Sequence, residues 1–369
     1  MFGILLVNVW GFVFGYTGYR YGVAETAISV ADALAVCFVA FAAEQKFYPI
    51  FAFLFGAGLV LAGRRLPLPD ALAFQRRRLR WLLGCGIVHG SLLWLGDILT
   101  AYALAGFWLV SAARQRPRKV LRILRAVVLI NLLILATLAM LSLRYDADVG
   151  RQIIDSAAAH LVYSEGSWGA IARARLADYG SNVFALAIFL PRIVLLMLLG
   201  ILAARLGYLS RPQRHRAFWM RLRRFGLLAG LPLNAWWAMV ALGTMRNPAA
   251  PPPLALLVTF MIDLAGPLLA AGYVASWMLA RPARWLAPVG RMALSNYLAQ
   301  SLLLMLLLQG FALGLGARLP RAGLVLLCLP IMLAQLLWSH WWLAHHRMGP
   351  LEAWWRAYSE RRTPPAMVK

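Results

Sequence analysis

Apolar runs of membrane-spanning length recur from one end of this chain to the other, separated by short polar turns. The first covers about 2–19. Residues 25–43 then carry scattered polar groups, among them Glu25 and Asp32, and read as a surface or partly re-entrant helix. A second full run covers about 43–63, and Pro67 and Pro69 mark the linker after it. Two runs at about 79–95 and 98–113 form a hairpin, and a fifth covers about 120–143. Residues 144–180, mixing acids with bases, read as the longest polar loop. Further runs follow at about 182–204, 225–244, 254–279, 290–313 and 322–344. The pattern predicts an all-α polytopic membrane bundle of about ten transmembrane helices. It spans 1–345, and a basic amphipathic tail at 346–369 follows it.

Composition agrees with this picture. The chain is 62% hydrophobic and only 14% charged, too few polar residues to cover a soluble domain. The N-terminus has no basic lead and no small-residue cleavage site, so it reads as a first span rather than a signal peptide.

The net charge of +24 adds orientation. In a soluble protein it would suggest nucleic acid, but here the arginines lie in short clusters between apolar runs and read as topology signals. With ten spans, 27 of the 37 basic residues fall on one side, in 64–80, 114–125, 205–224, 281–291 and 347–369. The remaining 10 fall on the other side. This asymmetry predicts cytoplasmic termini and an extracytoplasmic bend around Asp97.

Ionisable groups inside such a bundle mark function, because lipid makes them costly. His89 lies about six residues from the outer end of its run, roughly 9 Å deep. Asp97 follows Gly96 at the bend, where it is also placed to cap the next helix. On one unbroken helix the two would lie about 12 Å apart, so a hydrogen-bonded pair requires a break at Gly96. Arg192 and Asp263 lie deeper in their runs, as a structural ion pair or as lining. Glu44 and Lys46 stand at the outer mouth of the second run. These groups are expected to face one outward cavity, with the partners of His89 on the runs carrying Arg192 and Asp263 as much as on its own hairpin.

A different set occupies the inner half. Asn296 and Gln300 share one helix face, and Gln335 and Ser339 repeat the spacing on the next helix. They form a polar seam, serving as interhelical hydrogen bonding or as a ligand site. The cysteines (Cys37, Cys85, Cys328) show no metal or redox spacing. Trp10, Trp94, Trp341, Trp342 and Trp354 read as interfacial anchors. No nucleotide loop, GxSxG or HExxH motif is present, and the glycines of GAGLVLAG read as helix-packing positions.

Several collinear segments resemble one family. They are GILLVN at 3–8, EQKFYPIFAFLFGAG at 44–58, IVHGSLLWLGDILTAYAL at 87–104, LLMLLGILAARLGYL at 195–209, GRMALSNYLAQSLL at 290–303 and GPLEAWWR at 349–356. The chain resembles the YeiB-like bacterial inner-membrane proteins, a domain of unknown function numbered four-one-eight, with the more family-specific part at about 182–345. It departs from them at the start, where Met1 stands in place of a charged lead.

That family is distantly similar to transmembrane acyltransferases that modify extracytoplasmic sugars. The resemblance implies acyl transfer from a cytosolic acyl-CoA such as acetyl-CoA to a small-molecule or glycan acceptor outside. His89 would react, Asp97 or Asp263 would orient it, and Arg192 would stabilise developing charge. Asn296, Gln300 and Gln335 would hold the donor's polar arm. Two other classes compete: a small-solute transporter, which internal repeats would favour but which the unrepeated HGSLLWLGDIL disfavours, and a non-catalytic membrane scaffold.

Overall fold

The computed structural model describes residues 1–21, 28–64, 66–144, 149–246, 255–280 and 283–360. Among them every regular element is helical. In chain order these are α1 (Phe2–Tyr21), α2 (Val30–Ala42), α3 (Phe47–Leu61), α4 (Leu68–Leu92), α5 (Leu99–Leu109), α6 (Pro117–Arg144) and α7 (Val149–Glu165). Then come α8 (Trp168–Arg205), α9 (Arg216–Arg246), α10 (Ala255–Leu279), α11 (Ala287–Arg291), α12 (Ala293–Leu308), α13 (Arg321–His345) and α14 (Pro350–Glu360). The polytopic helical bundle expected from the apolar pattern is the observed fold. Among the described residues five helical segments are long and apolar enough to cross a membrane, or six if the bent pair α11–α12 is one span. Shorter apolar helices cover Phe2–Gly15, Leu99–Leu109 and Leu264–Leu279.

Small residues let the helices approach closely where lipid provides no hydrophobic drive between them. A side chain at Gly56 on α3 would collide with the backbone of Met197 on α8, and one at Gly200 on α8 would collide with the backbone of Phe53 on α3. The contact is reciprocal, so the expectation for Gly56 holds. A core of Ala52, Leu59, Tyr102, Met197, Leu198 and Ile201 seals around it.

Three expectations are corrected. Residues 149–165 are not loop but helix α7, and α8 already starts at Trp168. The charged residues hid an apolar face that packs on α1: Tyr163 is buried, and the carbonyl of Val13 lies 3.2 Å from Nδ1 of His160. The segment expected to be re-entrant lies in part outside the described residues (Glu25 among them). The rest, α2, is capped by Ser29, whose hydroxyl accepts from the Asp32 N–H. With α3 it makes one candidate span, Val30–Leu61, interrupted at residues 43–46. Trp94 is no interfacial anchor: it is buried and stacks on Phe12 at 4.4 Å.

The tail is a docked helix up to Glu360. Arg77 on α4 donates to the Ser359 carbonyl, and Trp355 donates to that of Arg78. Glu352 reaches the first turn of α12, accepting from the N–H groups of Leu294 (2.8 Å) and Ser295 (3.1 Å) and from the Ser295 hydroxyl. A carboxylate there satisfies otherwise orphaned donors and faces the positive end of the helix dipole.

Candidate functional site

Helix α4 ends at Leu92, four residues before Gly96. The chain then turns through Leu93–Asp97 and starts α5. This break replaces the long axial separation of a continuous helix with contact. The Asp97 carboxylate caps α5, accepting from Leu99 N (3.2 Å) and Thr100 N (2.7 Å). Its Oδ1 also lies 2.7 Å from Nδ1 of His89. Asp97 thus caps α5 as anticipated, and it also pairs with His89, which the axial separation had argued against; the helix stops at Leu92, before Gly96, and so allows the contact. Gly86 makes room for this: a Cβ there would lie 2.5 Å from Thr100 N and 2.9 Å from Asp97 Oδ2.

The other imidazole nitrogen, Nε2, lies 2.8 Å from the hydroxyl of Ser301 on α12. His89, Asp97 and Ser301 are 0%, 4% and 2% exposed. If the carboxylate is ionised it can only accept, and Nδ1 of His89 then carries the proton that faces it. In the neutral ring Nε2 is then an acceptor, and the Ser301 hydroxyl donates to it. The next carbonyl available to that hydroxyl, Tyr297 O, is at 3.4 Å. A hydroxyl on an imidazole on a carboxylate is the geometry that makes serine nucleophilic and imidazole a base. Tyr297 packs its ring 4.9 Å from the imidazole. Its buried hydroxyl sits beside the backbone of Ile98 without a well-formed hydrogen bond.

One face of α8 braces the broken hairpin. Arg175, Tyr179 and Asn182 follow at i, i+4 and i+7 and so line one stripe. Arg175 is buried and donates to the carbonyl of Leu92 at the end of α4 and to Oε1 of Gln309, the C-cap of α12. It thereby ties together the ends of the two helices that carry His89 and Ser301. Tyr179 lies against Gly90, and its hydroxyl is 3.0 Å from that of Thr100. Asn182 donates to the carbonyl of Leu95 at 3.0 Å. Carbonyls freed by a helix break within the bilayer require such donors.

The remaining candidates lie elsewhere. Both ring nitrogens of His89 are taken by Asp97 and Ser301, so its partners come from its own hairpin and α12. Arg192 stacks its guanidinium over Phe189 at 5.3 Å. Asp263 is on α10, with its side chain outside the described residues. Glu44 accepts from Trp237 Nε1 at 3.1 Å, while Lys46, wholly buried, donates to the Ala40 carbonyl.

The amide seam forms between α12 and α13. Gln300 donates to Gln335 Oε1 (2.6 Å), Gln335 to the Asn296 carbonyl (2.8 Å), and Asn296 to the Ser339 hydroxyl (3.0 Å). These bonds suffice to join the two helices. Asn296 Oδ1 is left as a buried acceptor without a partner. Among the described residues no cluster of His, Cys, Asp and Glu could hold a metal ion.

Ser301, Arg175, Tyr179 and Asn182 escape a reading of the sequence alone. Ser301 is one hydroxyl in an apolar helix. The available signal is that Tyr297 and Ser301 repeat, one row over, the spacing of Asn296 and Gln300. The α8 stripe is hidden where the polar residues look like loop.

Residues 203–362 match the family model described as DUF418, protein of unknown function. Over 386 aligned positions the chain is 32% identical to the uncharacterized protein YeiB of Escherichia coli (strain K12), covering 100% of this chain and 95% of that protein. To the uncharacterized protein YxaH of Bacillus subtilis (strain 168) it is 30% identical over 347 positions, 89% of this chain and 83% of the relative. No solved structure matches the chain.

Proposed function

The chain belongs to the DUF418 family that includes YeiB and YxaH, and on that premise we propose that it is a transmembrane acyltransferase. It passes an acyl group from a cytosolic acyl-CoA, such as acetyl-CoA, to a hydroxyl or amine of a small-molecule or glycan acceptor on the outer face. The observation that carries this reading is the imidazole of His89, held by Asp97 on one nitrogen and presented to a hydroxyl on the other. Asp97 fixes the tautomer, and Nε2 takes the proton of the attacking hydroxyl as its nucleophilicity is needed. Burial strengthens every electrostatic contact in this site.

The reading places ten spans in a bacterial inner membrane, with both termini and the arginine-rich turns in the cytoplasm, where the turns meet the donor's phosphates. The test is acyl transfer from radiolabelled acetyl-CoA by protein in sealed vesicles. His89→Gln should abolish transfer while leaving expression and monodisperse elution intact. Undiminished transfer by that variant sinks the proposal.

A second reading, a small-solute transporter, draws on the broken span at 43–46. Glu44 and the buried Lys46 flank a residue with left-handed backbone there, Gln45 at φ 61°. Unwound backbone with ionisable groups at membrane depth is how many transporters hold substrate. Solute accumulation in vesicles lacking any acyl-CoA would favour this reading over the enzyme.

A further inference from the structure

An acyltransferase of the kind proposed above meets a problem of place. Its donor arrives from one side of the membrane and its acceptor from the other. A direct transfer must bring both to the same imidazole at once. Yet Nε2 of His89 is already engaged, at 2.8 Å, by a hydroxyl of the protein itself. An acceptor would have to displace Ser301 from a site where serine, imidazole and carboxylate are all at least 96% buried.

Resting on the acyl-transfer reading, we infer that Ser301 is the nucleophile and carries the acyl group as a serine ester between the two half-reactions. Three observations converge. The first is the relay from Ser301 Oγ through His89 to Asp97, with separations of 2.8 and 2.7 Å. The second is depth: Ser301 is the ninth of the sixteen residues of α12, hence about 12 Å along the helix from its start. A group parked there lies between the two faces. The third is a spare donor. Tyr297 precedes Ser301 by four residues and so shares its face, and its buried hydroxyl lacks a well-formed hydrogen bond. It is available to the carbonyl oxygen of the acyl group as negative charge develops there.

The chemistry balances in two steps. Ser301 Oγ attacks the thioester carbonyl and its proton passes to Nε2 of His89. The carbon–sulfur bond breaks, and the same proton leaves with the thiolate as free thiol. The acceptor hydroxyl then attacks the serine ester and gives its proton to Nε2. The bond from Ser301 Oγ to the acyl carbon breaks, and the proton returns to the serine oxygen. Asp97 stabilises the imidazolium in both steps and stays ionised. Nothing is oxidised or reduced, and no co-reactant beyond an acyl thioester and an alcohol is required.

The experiment is to incubate the full-length protein, without acceptor, with acetyl-CoA or with p-nitrophenyl acetate. The reaction is quenched in acid, and the intact mass and peptide map are read. The inference expects one acetyl group per chain on Ser301, labile to hydroxylamine, and a stoichiometric burst of the leaving group. Ser301→Ala should lose the adduct and lower transfer by roughly 10³-fold or more. Ser301→Cys should form a thioester instead, which shows that a variant of this position still folds.

An adduct from p-nitrophenyl acetate but none from acetyl-CoA upholds the serine nucleophile and removes acyl-CoA as donor. The inference is overturned by any of three results: transfer to an acceptor with no serine ester on the way, an adduct on His89 in place of Ser301, or full transfer by Ser301→Ala. It is equally overturned if neither reagent acylates the folded protein.

Discussion

Asp97 serves two masters at the residue scale, and they can be separated. As a cap it needs an oxygen acceptor for the N–H groups of Leu99 and Thr100; as partner of His89 it needs a carboxylate. Asparagine satisfies the first need and fails the second, since it caps helices well but can favour the wrong tautomer of the ring. Asp97→Asn is therefore expected to melt within a few degrees of the native protein in detergent while losing on the order of 10⁴-fold in acyl transfer. Gly86→Ala should not separate the two needs but strike both. Its Cβ meets a backbone nitrogen and the Asp97 carboxylate, neither of which can swing away. A cost of about 1–3 kcal/mol is expected, read as a lowered melting temperature together with weakened activity. By contrast, the obstacle at Gly90 is the ring of Tyr179, so Gly90→Ala should be milder.

At the scale of elements, the site depends on helix ends. On the α8 stripe, Arg175 and Asn182 donate to carbonyls at the break between α4 and α5, and the Tyr179 hydroxyl pairs with that of Thr100. Glu352 of α14 supplies acceptors to the start of α12. Glu352→Ala leaves two backbone N–H groups and the Ser295 hydroxyl without their carboxylate. A loss of about 1–2 kcal/mol is expected, measured by thermal unfolding in detergent. Arg175→Lys keeps the charge but cannot fork to Leu92 and Gln309 together, so it should weaken transfer more than it weakens the fold.

These dependencies also mark what the sequence made legible. The long apolar runs announce helices because an isolated span must satisfy its own backbone hydrogen bonds. His89 and Asp97 announce themselves because charge in lipid is conspicuous. The geometry between them does not, because a helix that stops at Leu92 rather than Gly96 leaves no mark in composition. Ser301 is invisible for the opposite reason: a serine costs little in an apolar helix, where it can bond its own backbone. Helix α7 was hidden by charge on its outer face, and only the buried row through Tyr163 shows it as structure.

At the scale of the whole molecule, the arginine asymmetry is the quantity that sets orientation. Its consequence can be checked without knowing any substrate. A phosphatase reporter fused after residue 360 should stay inactive, and one inserted between α7 and α8 near Gly166 should be active. The opposite pattern would invert the faces assigned to donor and acceptor while leaving the relay of His89, Asp97 and Ser301 untouched.

The seam between α12 and α13 has a further implication, for the order in which the molecule is made. Gln300 and Asn296 find their partners on Gln335 and Ser339, and the cap of α12 comes from Glu352. All of these leave the ribosome after α12 does. During insertion α12 must wait in or near the translocation machinery with its amides and its first turn unpartnered. Only when synthesis has passed residue 352 do both its side and its first turn close. Chains interrupted between α12 and α13 should accordingly be degraded quickly, and quality control of the nascent chain becomes, in effect, quality control of the reactive centre.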